Sequence, residues 1–292
     1  MLTSFKDLLA EALRHQNAVG YFEAWDVYSL EAVVEAAEEE KLPVILGFGG
    51  AMMEPNWLDG GAIERLGALG LATARAARVP AALLLNEVKT FAQAVRGIQS
   101  GYNAVMLDTS ELPFAENIAL TQKLAEVAHA ASVGVEAELG VLPDASVSLD
   151  GQQSQLTDPQ QAALFVKETG VDALAVSIGN VHILTHGETS IDYARLAAIR
   201  AAVHVPLVLH GGTGIPESAI PRILPLGVAK VNIGTALKHA CLNGIRDALR
   251  KVPEDARIQE IMGSRKEADV LQQGKVYIRR EVGRRLRLWQ PA

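Results

Sequence analysis

The sequence predicts one (β/α)₈ barrel of the TIM type followed by a C-terminal helical extension. Three observations point there. Short runs rich in Val, Ile, Leu and Ala alternate with longer amphipathic stretches along residues 1–250. Most of the runs are apolar on both alternating faces, as parallel strands covered by helices must be. They number eight, and eight βα units in a chain of this length suit closure better than an open doubly wound sheet.

The strands are expected at 18–22 (AVGYF), 43–48 (PVILGF), 81–86 (AALLLN) and 104–108 (AVMLD), then at 133–139 (VGVEAEL), 173–178 (ALAVSI), 205–210 (VPLVLH) and 228–233 (VAKVNI). Pro43, Pro80 and Pro206 each enter a strand where a missing N–H costs little. A helix is expected after each strand. In the stretch 29–40, Leu30, Val33, Val34 and Ala37 share a face, and Asp26 or Ser29 can cap it. Asp158-Pro159 supplies a cap and a first-turn proline for another helix, which Gly170 closes, and Ser190-Ile191-Asp192 opens the helix before the seventh strand. The polar stretch 141–157 after the fifth strand reads as a mobile loop over the barrel mouth. Residues 1–250 form the barrel, and 251–292 a helical appendage docked on the barrel or on a partner subunit.

The 292 residues are 49% hydrophobic, enough for a large core, with a net charge of −7. Residues 1–250 hold 17 basic and 28 acidic side chains, residues 251–292 hold 10 and 6. The acidic body offers no basic stripe, which argues against nucleic acid. The basic run 279–289 suits a terminal helix lying on acidic surface, with RNA or membrane binding as its alternative. Cys241, the single cysteine, excludes an intrachain disulfide and reads as a core thiol. No signal peptide and no run of 18 apolar residues is apparent, so the expectation is a cytoplasmic protein without membrane contact.

A barrel of this type presents its chemistry at the C-terminal ends of its strands. The residues there are Glu23, Gly49, Gly50, Asn86, Glu87, Asp108, Glu138, His182, His210 and Asn232. His182, His210 and Glu87 suit a three-ligand site for zinc or a similar ion with one position open. The alternative is that His210 hydrogen-bonds within the rim and His182 is an ordinary loop residue. His186 is a nearby spare. HGGTG at 210–214 and NIGTA at 232–236 follow the seventh and eighth strands. Backbone amides of Gly211, Gly212, Thr213, Gly234 and Thr235 can cradle a phosphate there, and Asn232 can bind a substrate hydroxyl or carbonyl.

The stretches 107–121 (LDTSELPFAENIALT), 135–140 (VEAELG), 156–182, 206–216 (PLVLHGGTGIP) and 227–237 (GVAKVNIGTAL) resemble the metal-dependent class II ketose-bisphosphate aldolases, nearest the fructose- and tagatose-bisphosphate branch. The resemblance implies that His182 and His210 are metal ligands and that Glu138 supports the metal shell. It implies that the glycine loops hold the phosphate of dihydroxyacetone phosphate, often beside a monovalent cation, and that Asn232 contacts the bound triose. It also implies enediolate chemistry, a divalent metal such as zinc, and a homodimer or homotetramer. The third strand departs from the family pattern. Where the family has His-Leu-Asp-His-His, with the Asp as acid/base and the next His as third zinc ligand, this chain has Leu84-Leu85-Asn86-Glu87-Val88. The first strand has Glu23 where the family has an amide. Asn86 cannot exchange a proton, so Glu23 is expected to supply the acid/base and Glu87 the third ligand. The loop at 141–157 lacks the family's Arg and its acidic run, with Asp144 the nearest acid.

The leading expectation is a metal-dependent aldolase for a phosphorylated ketose such as fructose or tagatose bisphosphate. The alternatives are a sugar-phosphate isomerase, epimerase or other lyase on the same scaffold, and a non-catalytic sugar-phosphate-binding homologue.

Overall fold

The computed structural model describes residues 1–145, 155–184 and 187–290. Eight parallel strands close into a barrel in sequence order: β1 (Val19–Ala24), β2 (Val44–Gly49), β3 (Ala81–Val88), β4 (Ala104–Leu107), β5 (Gly134–Leu139), β6 (Ala173–Val176), β7 (Leu207–Leu209) and β8 (Val228–Ile233). The seam between β1 and β8 sets Tyr21 opposite Asn232. All eight expected strands are present, with ends shifted by no more than two residues.

Helix α1 (Phe5–His15) precedes the barrel, and α2 (Val27–Glu40), α3 (Ile63–Ala76), α4 (Phe91–Gln99), α5 (Phe114–Ala130), α6 (Pro159–Thr169) and α7 (Tyr193–Ala202) follow the first six strands. Asp26 caps α2 by accepting from the Ser29 amide at 2.7 Å, and the Ser29 hydroxyl accepts from the Asp26 amide at 3.0 Å. Asp158 caps α6, and Gly170 ends it with a left-handed φ of 67°. The helix expected after β7 is present but short: after a 3₁₀ turn at Gly212–Gly214, a continuous helical run comprises Glu217–Ala219, Ile220–Ile223 and Leu224–Leu226 and is α-helical only over Ile220–Ile223, with Pro216, Pro221 and Pro225 withholding amide donors from a longer ladder. Helix α8 (Thr235–Leu249) follows β8.

The barrel interior is layered. At its N-terminal end α1 forms a plug: Phe5, Leu8, Leu9 and Ala12 join Val19, Ile45, Leu84, Met106 and Val208 in one buried apolar cluster. Gly134 is required there, since a Cβ would stand 2.8 Å from the Phe5 ring. Toward the C-terminal rim the interior turns polar, with Glu136 and Lys230 fully enclosed. The barrel's outer faces and the surrounding helices form the second, larger cluster.

Helix α9 (Val270–Leu288) lies against α2 and α8. Its cations meet acids of the barrel body: Lys275 pairs with Glu35 at 2.6 Å and Glu31 at 3.0 Å, Arg279 with Glu39 at 3.2 Å, Arg287 with Glu40 and Arg284 with Glu217. Trp289 beyond it is buried and stacks on Phe22 with ring centroids 5.6 Å apart. The basic run therefore covers acidic barrel surface. Cys241, on α8, is half-buried beside Gly274 of α9 and packs against the edge of the larger apolar cluster. No helix among the described residues is long and apolar enough to cross a membrane.

Candidate active site

A pocket of about 360 Å³ opens at the C-terminal rim. Its lining includes Glu23, Asn86, Glu87, Asp108, Glu138, His182, His210, Gly211, Thr213, Asn232, Gly234 and Thr235. Of the rim residues expected from sequence, Gly49, Gly50 and Gly212 stand outside it, and Gly212 is buried behind the loop, where a Cβ would stand 2.4 Å from Val231 Cγ1. The 146–154 portion of the 141–157 loop, and His186, lie outside the described residues.

On the pocket floor, ligand atoms of Glu87, Glu138, His182 and His210 lie within 4.8 Å of one another. His210 extends from the end of β7, with its Nδ1 2.9 Å from both Glu87 Oε1 and Glu138 Oε2. Although so close, neither His210 Nδ1 nor Glu138 Oε2 makes a hydrogen bond, since their geometry is wrong for one. Buried atoms that converge without bonding to each other suit a shared cation. Charge argues the same way. Burial by itself would favour a neutral His210 ring, but Glu87 and Glu138, with Glu136 behind, push its pKa well above the ordinary value. Burial opposes ionisation of Glu87 too, yet His210, His182 and Lys230 draw its pKa down to about 2. Three carboxylates around one enclosed imidazole need positive charge among them. A divalent metal fits this donor set of imidazole nitrogens and carboxylate oxygens.

Backbone geometry supports the cluster. Glu87 has a φ of +51° and Ile183, next to His182, has +52°. Left-handed backbone is costly for side chains other than glycine, above all a β-branched one, and it occurs here at Glu87 itself and next to His182. The start of the β5 loop is tied to the same place: the His182 amide donates to the Pro143 carbonyl and the Ala145 amide to the His182 carbonyl, each at 2.9 Å. Asn180 clamps the β6 loop to β7 by donating to the His210 carbonyl at 3.1 Å. Gly211 is required where the loops touch, since at its φ of +66° a Cβ would stand 1.9 Å from the Val181 carbonyl oxygen.

Beneath the cluster lies a polar relay that sequence reasoning missed. Glu136 Oε1 stands 2.9 Å from His210 Nε2 and accepts from Lys230 Nζ at 2.9 Å, and Lys230 also donates to Asn232 Oδ1 at 2.5 Å. Lys230 lies over the Tyr21 ring, 4.9 Å from its centroid. The signal was alternation: Glu136 precedes Glu138, and Lys230 precedes Asn232, by two residues on a strand, so each pair faces the same interior. Engaged by Lys230 through its oxygen, Asn232 keeps its NH₂ group for the pocket.

The phosphate-cradle residues sit at the mouth between β7 and β8. Gly234 is the N-cap of α8 and has no side chain to cap it, while Thr213 from the β7 loop accepts from the Ala236 amide at 3.2 Å. The first turn of α8 thus opens onto the pocket, a natural anion seat. Glu23 reaches the same corner. Its carboxylate pairs with Lys238 at 2.7 Å and lies against Gly234, where a Cβ would be 2.7 Å from Glu23 Oε2. Burial raises the Glu23 pKa, Lys238 opposes the rise and Glu87 adds to it. Asn86 is buried with Oδ1 unpaired, and so is the Tyr21 hydroxyl. Both line the pocket and await polar partners.

Comparison with known proteins gives the same picture throughout the chain. The family model for fructose-bisphosphate aldolase class-II matches residues 3–291, including the C-terminal helix. A fructose-bisphosphate aldolase of Geobacillus stearothermophilus is 36% identical over 275 residues, covering 91% of this chain and 92% of its own. The crystal structure of the YdjI aldolase from Escherichia coli K12 superposes with a TM-score of 0.81 at 28% identity, covering 99% of this chain and 97% of its own.

Proposed function

We propose, for a chain that belongs to the class II fructose-bisphosphate aldolase family, that the rim pocket is its active site and that Glu87, His182 and His210, supported by Glu138, hold the metal. The activity is metal-dependent aldol cleavage of a phosphorylated ketose to dihydroxyacetone phosphate and an aldehyde. The observation that carries the assignment of the site is the convergence of four ligand atoms beside the glycine loops of β7 and β8.

The C3–C4 bond of the ketose breaks. The C4 hydroxyl proton passes to a base as C4 becomes the aldehyde carbon, and the electron pair left on C3 conjugates with the C2 carbonyl until C3 is reprotonated. A bound divalent ion supplies the Lewis acid for that carbonyl, and zinc suits the mixed imidazole and carboxylate donors. Glu23 is the proposed proton carrier: burial lifts its pKa toward the working range, as an acid/base needs. Lys238 and the amides around Gly211, Thr213, Gly234 and Thr235 seat the phosphate, with a monovalent cation beside them by resemblance. The Asn232 NH₂, the Asn86 amide and the Tyr21 hydroxyl orient the sugar oxygens. A homodimer or homotetramer is supported by the exposed apolar residues Leu242, Leu249, Ile258 and Met262 in the last third of the chain.

The test combines metal analysis with a cleavage assay over a panel of ketose phosphates, repeated with Glu23→Gln. Metal content near one per chain with cleavage abolished in the variant supports the assignment. Full activity in the variant removes Glu23 as the base. Bound phosphate ligand with no turnover on any substrate favours a binding protein instead.

A further inference from the structure

The loops that build the mouth are almost without cations. Among the described residues that line the pocket there are two lysines and no arginine: Lys89 after β3 and Lys238 in the first turn of α8. The long segments 50–62, 140–158 and 177–192 contain no Lys or Arg at all. Both lysines are already matched. Lys238 pairs with Glu23 at 2.7 Å on the phosphate side, and Lys89 pairs with Asp108 at 2.6 Å on the opposite wall. That wall also carries Ser110, whose hydroxyl donates to Asp108 at 2.7 Å, and the exposed Glu111 beside Lys89.

The two ends of the pocket therefore differ. The β7 and β8 end has helix-terminal amides and a lysine for one phosphate. The β3 and β4 end offers one lysine against two carboxylates and a serine hydroxyl, groups that hydrogen-bond sugar hydroxyls. A second phosphate placed there would face net negative charge. We propose that the substrate is a ketose bearing a single phosphate, on C1, and that the aldehyde half is an uncharged polyhydroxylated chain held by Asp108, Ser110 and Lys89. This rests on the aldolase reading above and narrows its substrate class.

The experiment is condensation by the metal-loaded enzyme of dihydroxyacetone phosphate with paired aldehydes, glyceraldehyde against glyceraldehyde 3-phosphate and erythrose against erythrose 4-phosphate, in both enantiomeric series. The expected result is a kcat/KM at least about tenfold higher for the uncharged member of each pair. Glu111→Lys should shift that ratio toward the phosphorylated aldehyde by about three- to tenfold, and added salt should shrink the shift. A preference of the parent enzyme for phosphorylated aldehydes overturns the proposal and leaves the aldolase reading standing. Condensation of no aldehyde at all, with metal bound, overturns the aldolase reading and this narrowing with it.

Discussion

His210 Nδ1 and Glu138 Oε2 lie 2.9 Å apart in the barrel mouth, both buried, and neither completes a hydrogen bond. Such a pair is unfavourable on its own and becomes favourable around a cation. Metal should therefore stabilise the fold. Zinc at about 100 times its Kd is expected to add about 2.7 kcal/mol, a rise in Tm on the order of 5 °C by calorimetry. His210→Ala should abolish that increment. An equal rise in the variant would place the metal elsewhere.

Glu136 touches the metal cluster only through His210, by the 2.9 Å contact with Nε2. It is a positioning residue that fixes the ring and its tautomer. Glu136→Gln should weaken metal affinity by about 10- to 100-fold, measured by competition with a chelator, while the far-UV spectrum stays unchanged. Lys230→Met leaves Glu136 enclosed with half its charge compensation gone, and should cost about 3–5 kcal/mol in denaturant unfolding. Unchanged metal affinity in Glu136→Gln would remove the positioning role.

The same two residues show where sequence reading stops. The barrel itself was legible because strand runs apolar on both faces, such as Val44–Gly49, have few other uses. The rim residues were legible because strand ends are fixed once the strands are. Glu136 and Lys230 lie one layer deeper, and a charge inside an apolar strand looks like an exception until β5 and β8 are seen to face each other's polar side chains across the interior. The shortness of the helix after β7, α-helical only over Ile220–Ile223, was marked in the sequence by Pro216, Pro221 and Pro225. The pairing of Glu23 with Lys238 depends on β1 and α8 meeting across the barrel seam, which strand order alone does not reveal.

If Glu23 is the base, activity has an acidic limb set by its ionisation. Burial raises its pKa above the ordinary 4.5, so cleavage should rise with pH through that elevated value. Lys238 holds the value down, so Lys238→Met should move the limb to higher pH and raise KM for the phosphorylated substrate. Glu23→Gln should lower kcat by about 10²- to 10⁴-fold and flatten the limb. An acidic limb that stays in place in Lys238→Met would separate the proton carrier from this pair.

The C-terminal helix is held by two kinds of force that respond differently to salt and pH. Trp289 is 1% exposed against Phe22, and Trp289→Ala should cost about 3–5 kcal/mol, nearly independent of ionic strength. Lys275, 8% exposed between Glu31 and Glu35, contributes through charge. Lys275→Met should cost about 1–2 kcal/mol at low salt, less at 1 M. Partial burial opposes ionisation of Glu31, but Lys275 and Arg265 hold its pKa below the ordinary 4.5. A depressed carboxylate stabilises the fold above its unfolded pKa and loses that contribution as pH falls through the folded value. The gap in Tm between parent and Lys275→Met should thus be full near pH 7 and close as pH falls below about 4.5, whereas the Trp289→Ala gap should persist. A Lys275 gap that survives both acid and high salt would show that its methylene stem, packed on α2, matters more than its charge.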